Sequence, residues 1–89
     1  MVQLQYSSKY LSSRAKFLKN NQNLFDKTTK AISLFVDNPQ HPSLNLEKLK
    51  ASSYWTIRID KGNGIFFVWI NKTTALFIDI GKHDIYRKY

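Results

Sequence analysis

Six residues from position 58 onward have side chains suited to chemistry on an anion: Arg58, Lys82, His83, Tyr86, Arg87 and Tyr89. Arg58 sits in the run Tyr54-Trp55-Thr56-Ile57-Arg58-Ile59-Asp60, whose alternation sends Trp55, Ile57 and Ile59 to one side of a strand and the polar residues to the other. A guanidinium on that polar side offers a planar fork of donors to a phosphate. It equally suits a cross-strand ion pair with Asp79 or Asp60. His83 follows Gly81 and Lys82 directly after the last apolar run. An imidazole there can move protons near neutral pH, or it can be a plain surface residue. Tyr86 and Tyr89 can stack on bases or seal a sheet edge. His41, ahead of Pro42, is a second histidine with less around it to give it a role.

Other chemistries have no sequence support. There is no glycine-rich phosphate loop leading into a helix, no paired-histidine helix and no acidic metal cluster. Asp79 and Asp84 are too few to hold a metal unaided. The expectation is therefore a site without metal or cofactor and without a small-molecule substrate.

The elements that must position these residues are short. Tyr54–Asp60, Ile65–Ile70 and Thr74–Ile80 have the length and the β-branched and aromatic content of strands, and the intervening Lys61-Gly62-Asn63-Gly64 and Asn71-Lys72-Thr73 have the composition of hairpin turns. The middle run is apolar on both sides, as a central strand covered on both faces would be. Ahead of this meander, Val2–Tyr6 alternates as a short edge strand. Ser7 and Ser8 can cap a helix from Lys9 to Asn20 with Tyr10, Leu11, Ala15, Phe17 and Leu18 as its apolar stripe. A second helix, Leu24 to Asp37, carries Leu24, Thr28, Ala31, Ile32, Phe35 and Val36 at helical spacing and stops before Pro39. The connector from His41 to Ser53 has no regular period, and its Leu44, Leu46 and Leu49 tack it to the body. The spacing predicts an α+β fold: a short N-terminal strand plus a three-stranded C-terminal meander, packed on an N-terminal helical hairpin.

Composition sets the boundaries. Eighty-nine residues, with no cysteine for staples, argue for one domain spanning 1–89, and an aromatic content of 15% must supply its core. No apolar run approaches the ~20 residues that span a bilayer, and Met1-Val2-Gln3-Leu4-Gln5 lacks the layout of a secretory signal. A cytoplasmic protein without a membrane partner is expected. Fourteen Lys and Arg against six Asp and Glu leave a net charge of +8, which favours a polyanion such as nucleic acid, or an acidic protein, as partner.

Three stretches, His41-Pro42-Ser43-Leu44 with Leu46 and Leu49, Tyr54–Ile59 leading into Ile65-Phe66-Phe67, and Asp79-Ile80-Gly81-Lys82-His83-Asp84-Ile85-Tyr86-Arg87, together resemble the RelE/ParE superfamily, the toxins of bacterial toxin–antitoxin modules. With the strand, helix, helix, strand, strand, strand order, the resemblance covers nearly the whole chain. It implies a small α+β toxin that, in the RelE branch, enters the ribosome, cuts mRNA without a metal and is held inactive by an acidic antitoxin. Carried over, Arg58 would neutralise the scissile phosphate, His83 would act as general acid or base, and Tyr86 would stack on or orient the RNA. Lys9, Arg14, Lys16, Lys19, Lys27, Lys30, His41, Lys82, Arg87 and Tyr89 would hold RNA. One departure stands out: Gly64 occupies the position where many members have an arginine that contributes to catalysis. That raises the expectation of an attenuated enzyme, beside two rivals: a ParE-type toxin that binds gyrase without chemistry, and an inactive module that only holds its antitoxin.

Overall fold

In the computed structural model, which describes residues 1–82, the three C-terminal runs are neighbouring strands, β3 (Trp55–Asp60), β4 (Asn63–Trp69) and β5 (Thr74–Lys82), paired antiparallel in sequence. β1 (Gln3–Tyr6) runs parallel to β5 at one edge, with Gln3 opposite Thr74 and Tyr6 opposite Phe77. The other edge is β2 (Glu47–Lys48), antiparallel to β3. The sheet order is thus β1-β5-β4-β3-β2. β2 escaped the sequence pattern because two polar residues carry no apolar signal; Leu44 and Leu49 around it are buried, and Leu46 is half-buried, as their tacking role requires.

Both helices pack on the sheet. α1 (Ser8–Phe17) is capped by Ser7, whose hydroxyl accepts from the Tyr10 amide at 3.0 Å and donates to the Ile78 carbonyl at 3.1 Å, so one side chain caps the helix and ties it to β5. Asn20, at φ 56°, reverses the chain, and the Asn21 side chain caps α2 (Gln22–Asp37) by accepting from the Leu24 amide. The core lies between helices and sheet. The Phe35 ring of α2 sits 5.0 Å from Phe67 and 5.9 Å from Phe77, and the Tyr10 ring of α1 sits 5.3 Å from Phe77. Each such pair adds about 0.5–1.5 kcal/mol beyond the area it buries. The expected stripe of α1 is only half realised: Tyr10 is buried, Phe17 and Leu18 are half-buried, and Leu11 and Ala15 are exposed. α1 lies over β5 near the sheet's β1 edge, so little stands ready to cover its far side.

Two β-bulges decide which face each polar residue takes. In β3 the register passes from Arg58 opposite Gly64 to Asp60 opposite Asn63, which leaves Ile59 as the extra residue. Gly64 and Asn63 are adjacent in β4 and point oppositely, so Arg58 and Asp60 also part faces. In β5 the pairs Phe66–Asp79 and Phe67–Phe77 leave Ile78 as the extra residue, so Phe77 and Ile80 both enter the core while Asp79 turns to the second face. That second face is covered at its centre, as the apolar character of the middle run on both sides led one to expect: Thr56, Phe66 and Asp79 form a row across it, only 2%, 0% and 4% exposed.

The first hairpin turn is Lys61-Gly62, stabilised by the Asp60 carboxylate accepting from the Gly62 amide and the Asn63 side chain. Gly64, expected within that turn, lies instead inside β4. A Cβ there would stand 2.9 Å from the Ile57 carbonyl oxygen, so β3 approaches β4 too closely for any side chain. Gly64→Ala should therefore cost about 1–3 kcal/mol, lowering Tm by roughly 5–20 °C in a thermal melt. Burial raises the Tyr10 phenol above its ordinary value of 10.0, opposed in part by the Arg14 charge, and its hydroxyl has no hydrogen-bond partner among the described residues. Stability is thus undiminished below that ordinary value and falls as pH rises through the raised one. Tyr10→Phe should leave stability at neutral pH equal or higher and make the alkaline decline shallower in melts taken across about pH 9–11.

Candidate functional site

Arg58 is exposed, while each carboxylate offered to it by the sequence is committed elsewhere. The Asp60 carboxylate lies 3.8 Å from the Lys27 ammonium of α2 and holds the turn, and the Asp79 carboxylate lies 3.5 Å from the Lys9 ammonium of α1 and accepts from the Ile80 amide. Among the described residues no carboxylate pairs with the guanidinium. Beyond Thr56, β3 has no further strand partner on its β2 side among the described residues, so the long Arg58 side chain can reach over that edge. There it lines a hollow of about 230 Å³ with Lys27, Lys30, Ser43, Leu44 and Asp60.

Three cations against one carboxylate give this hollow an excess of positive charge, which suits an anion. Each lining group arrives from a different element: Lys27 and Lys30 from the outer side of α2, Arg58 and Asp60 from β3 across its bulge, and Ser43 from the short 3₁₀ turn Pro42–Leu44. His41 caps that turn, its Nδ1 accepting from the Ser43 amide at 3.2 Å and lying 2.8 Å from the Ser43 hydroxyl. Ser43 thereby links an imidazole to the rim of the hollow. Spacing alone did not single out Ser43 or Asp60; the His-x-Ser pattern of a capped turn was the only sequence signal for the first.

The remaining candidates among the described residues do not converge there. Lys9 faces Asp79, Arg14 lies over the rings of Tyr6 and Tyr10 at 6.0 and 5.7 Å, and Lys16 and Lys19 are exposed at the far end of α1 and just beyond it. Lys82 is exposed at the end of β5, opposite Asn63. His83, Tyr86, Arg87 and Tyr89 lie outside the described residues. Among the described residues no group of three His, Cys, Asp or Glu could hold a metal, and no helix is long and apolar enough to cross a membrane.

A five-stranded mixed sheet flanked by two helices is a fold shared with solved structures of small toxins. The fold matches the YoeB/ParE toxin from Agrobacterium tumefaciens with a TM-score of 0.75 at 15% identity, over 92% of this chain and 99% of that one. It matches a chain of the E. coli DinJ-YafQ complex with a TM-score of 0.76 at 14% identity, over 96% and 97%, and one of the Staphylococcus aureus YoeB-YefM complex with 0.72 at 16%, over 93% and 98%. No family model and no curated relative matches the sequence. The chain thus has the fold of the RelE/ParE toxins, as the resemblance of its motifs led one to expect.

If the hollow is an anion site, Asp60 is its internal competitor for Lys27. Asp60→Asn keeps an acceptor for the turn and removes the competing charge. It should tighten binding of a phosphorylated probe up to about five-fold, the scale of one exposed ion pair, in a titration followed by NMR shifts of residues around Arg58.

Proposed function

We propose that the chain is the toxin of a toxin–antitoxin pair and acts as a ribosome-dependent mRNA endonuclease without a metal. The fold shared with toxins of that kind supports the first part, and several of those toxins occur in complexes with antitoxins. The observation that carries the second part is Arg58, exposed, free of carboxylates among the described residues, and set beside Lys27 and Lys30.

In this mechanism the ribose 2′-hydroxyl attacks its own 3′-phosphate. A base takes the hydroxyl proton, the bond to the 5′-oxygen breaks, and an acid protonates that oxygen, which leaves a cyclic phosphate and a free 5′-hydroxyl. Arg58 neutralises the charge that builds on the phosphorane, with Lys27 and Lys30 holding neighbouring phosphates. His83 serves as acid or base and Tyr86 orients the RNA, while Lys9, Arg14, Lys16, Lys19, Lys82, Arg87, His41 and Tyr89 contribute to a wider RNA surface. The site supplies binding and charge, and all proton transfers run through side chains. An acidic antitoxin would fold against the basic surface on binding, and the pair would reside in the cytoplasm.

Gly64 favours a second reading, an attenuated toxin or a module that only binds its antitoxin. The close β3–β4 approach leaves no room for the arginine that many family members carry there. Restoring it by Gly64→Arg would disturb the sheet before it could add a cation.

Arg58→Ala separates these readings. The side chain is exposed, so folding should persist, while cleavage of mRNA in a reconstituted translation reaction should fall by about 10²–10³-fold. His83→Gln should act likewise. Wild-type cleavage that survives in both variants would remove the nuclease mechanism, and inhibition of DNA supercoiling in place of mRNA cleavage would favour the gyrase-binding branch.

A further inference from the structure

The chain has two tryptophans, and they share one surface well away from the Arg58 hollow. Trp55 opens β3 and Trp69 closes β4; Trp55 stands opposite Phe67, which makes Trp69 its diagonal neighbour on the same face. Diagonal neighbours of this kind are about 7–8 Å apart. Both are half-buried, and Trp69 is anchored edge-to-face on Phe67 at 5.3 Å and against Phe35 at 5.7 Å. Together they form a ridge between two open hollows. One, of about 600 Å³, is lined also by Gln40, Leu46 and Lys72, and the other, of about 570 Å³, by Lys48, Ser52 and Ser53. Among the described residues, the charged groups of both hollows are lysines and no carboxylate lines either.

The ridge is continuous with the anion site. Ile59, which lines the Arg58 hollow, is four residues along β3 from Trp55, on the order of 13 Å. The connector borders both, with Ser43 and Leu44 on the one and Gln40 and Leu46 on the other.

We propose that the Trp55–Trp69 ridge is a nucleobase-stacking platform for single-stranded RNA, with one strand lying from the Arg58 hollow to Lys48 and Lys72. Binding sites for single strands pair aromatic faces with cations along the backbone. A base has apolar faces and polar edges, and this lining alternates in the same way: rings and Leu46 beneath the faces, Gln40, Ser52 and Ser53 at the edges. An apolar anchor from an acidic protein segment would need apolar walls throughout, and the hollow beside Lys48 lacks them. The proposal rests on the reading of the Arg58 hollow as a phosphate site, so the test must fail separately for each.

Because the chain has no third tryptophan, its selectively excited tryptophan emission reports on the ridge alone. A fluorescein-labelled ten-nucleotide oligoadenylate is titrated into the full chain at fixed physiological ionic strength, with anisotropy of the label read for binding; an unlabelled oligomer is used to read tryptophan emission. Binding with quenched emission, and affinity weakened about five-fold or more in Trp55→Leu, supports the platform. Trp55→Leu is preferred because Trp69 also packs into the core, and Trp69→Phe, which keeps a ring there, should retain most of the affinity. Binding with unchanged emission and unchanged affinity in Trp55→Leu overturns the platform while leaving the phosphate site standing. Absence of RNA binding, with emission instead quenched by poly-glutamate, overturns it in favour of an acidic protein partner, and silence towards both overturns it together with the phosphate site.

Discussion

Two extra residues in the sheet, Ile59 and Ile78, govern how its charges are sorted. With unbroken alternation Asp60 would share a face with Arg58 and neutralise it, and Asp79 would point into the aromatic core. A buried carboxylate in that core would be costly without a partner. Each bulge turns the acidic side chain towards a lysine, Lys27 of α2 for Asp60 and Lys9 of α1 for Asp79. The exposed cation at the sheet's free edge is what remains once those two pairs have formed. The exposed cation and the fold therefore meet at the same irregularities, and bulges are common near working sites.

The platform beneath that edge is aromatic. Phe35, Phe67, Phe77 and Trp69 pack through one another within about the range at which rings attract edge-to-face. A chain this small has no disulfide to rely on, and the rings make α2 a fixed wall, so that Lys27 and Lys30 keep their station against β3. The closeness of β3 and β4 belongs to the same economy of space: the strands meet so tightly at Gly64 that a side chain there would strike the Ile57 carbonyl. The glycine at this position is thus a packing feature of the hairpin.

Similarity to solved toxin structures at about 15% identity across almost the entire chain shows a shared topology. Fold alone assigns no chemistry. What this chain contributes of its own is a cationic hollow joined by a connector to a tryptophan ridge, an arrangement suited to an extended, negatively charged strand. Electrostatics would draw such a partner in, since the net charge of +8 is spread over helices and sheet edges alike, and stacking would then fix its register.

Much of this was legible in the residues themselves. The period-2 alternation of Trp55, Ile57 and Ile59, the helical spacing around Phe35, the capping serine ahead of α1 and the proline beyond α2 are local signals, and local geometry obeys them. The two helices, the meander and the N-terminal edge strand follow from them, although α1 ends at Phe17 instead of Asn20 and α2 starts at Gln22 instead of Leu24. Tertiary structure alone decided the rest. A bulge is an agreement between two strands about register, so no single run announces it; a two-residue strand such as β2 exists only because β3 offers it a partner. Which carboxylate meets which cation, why Gly64 has no room for a side chain, and where Arg58 ends up all depend on distances between segments far apart in the chain, and those distances are set by packing, which sequence periodicity does not encode.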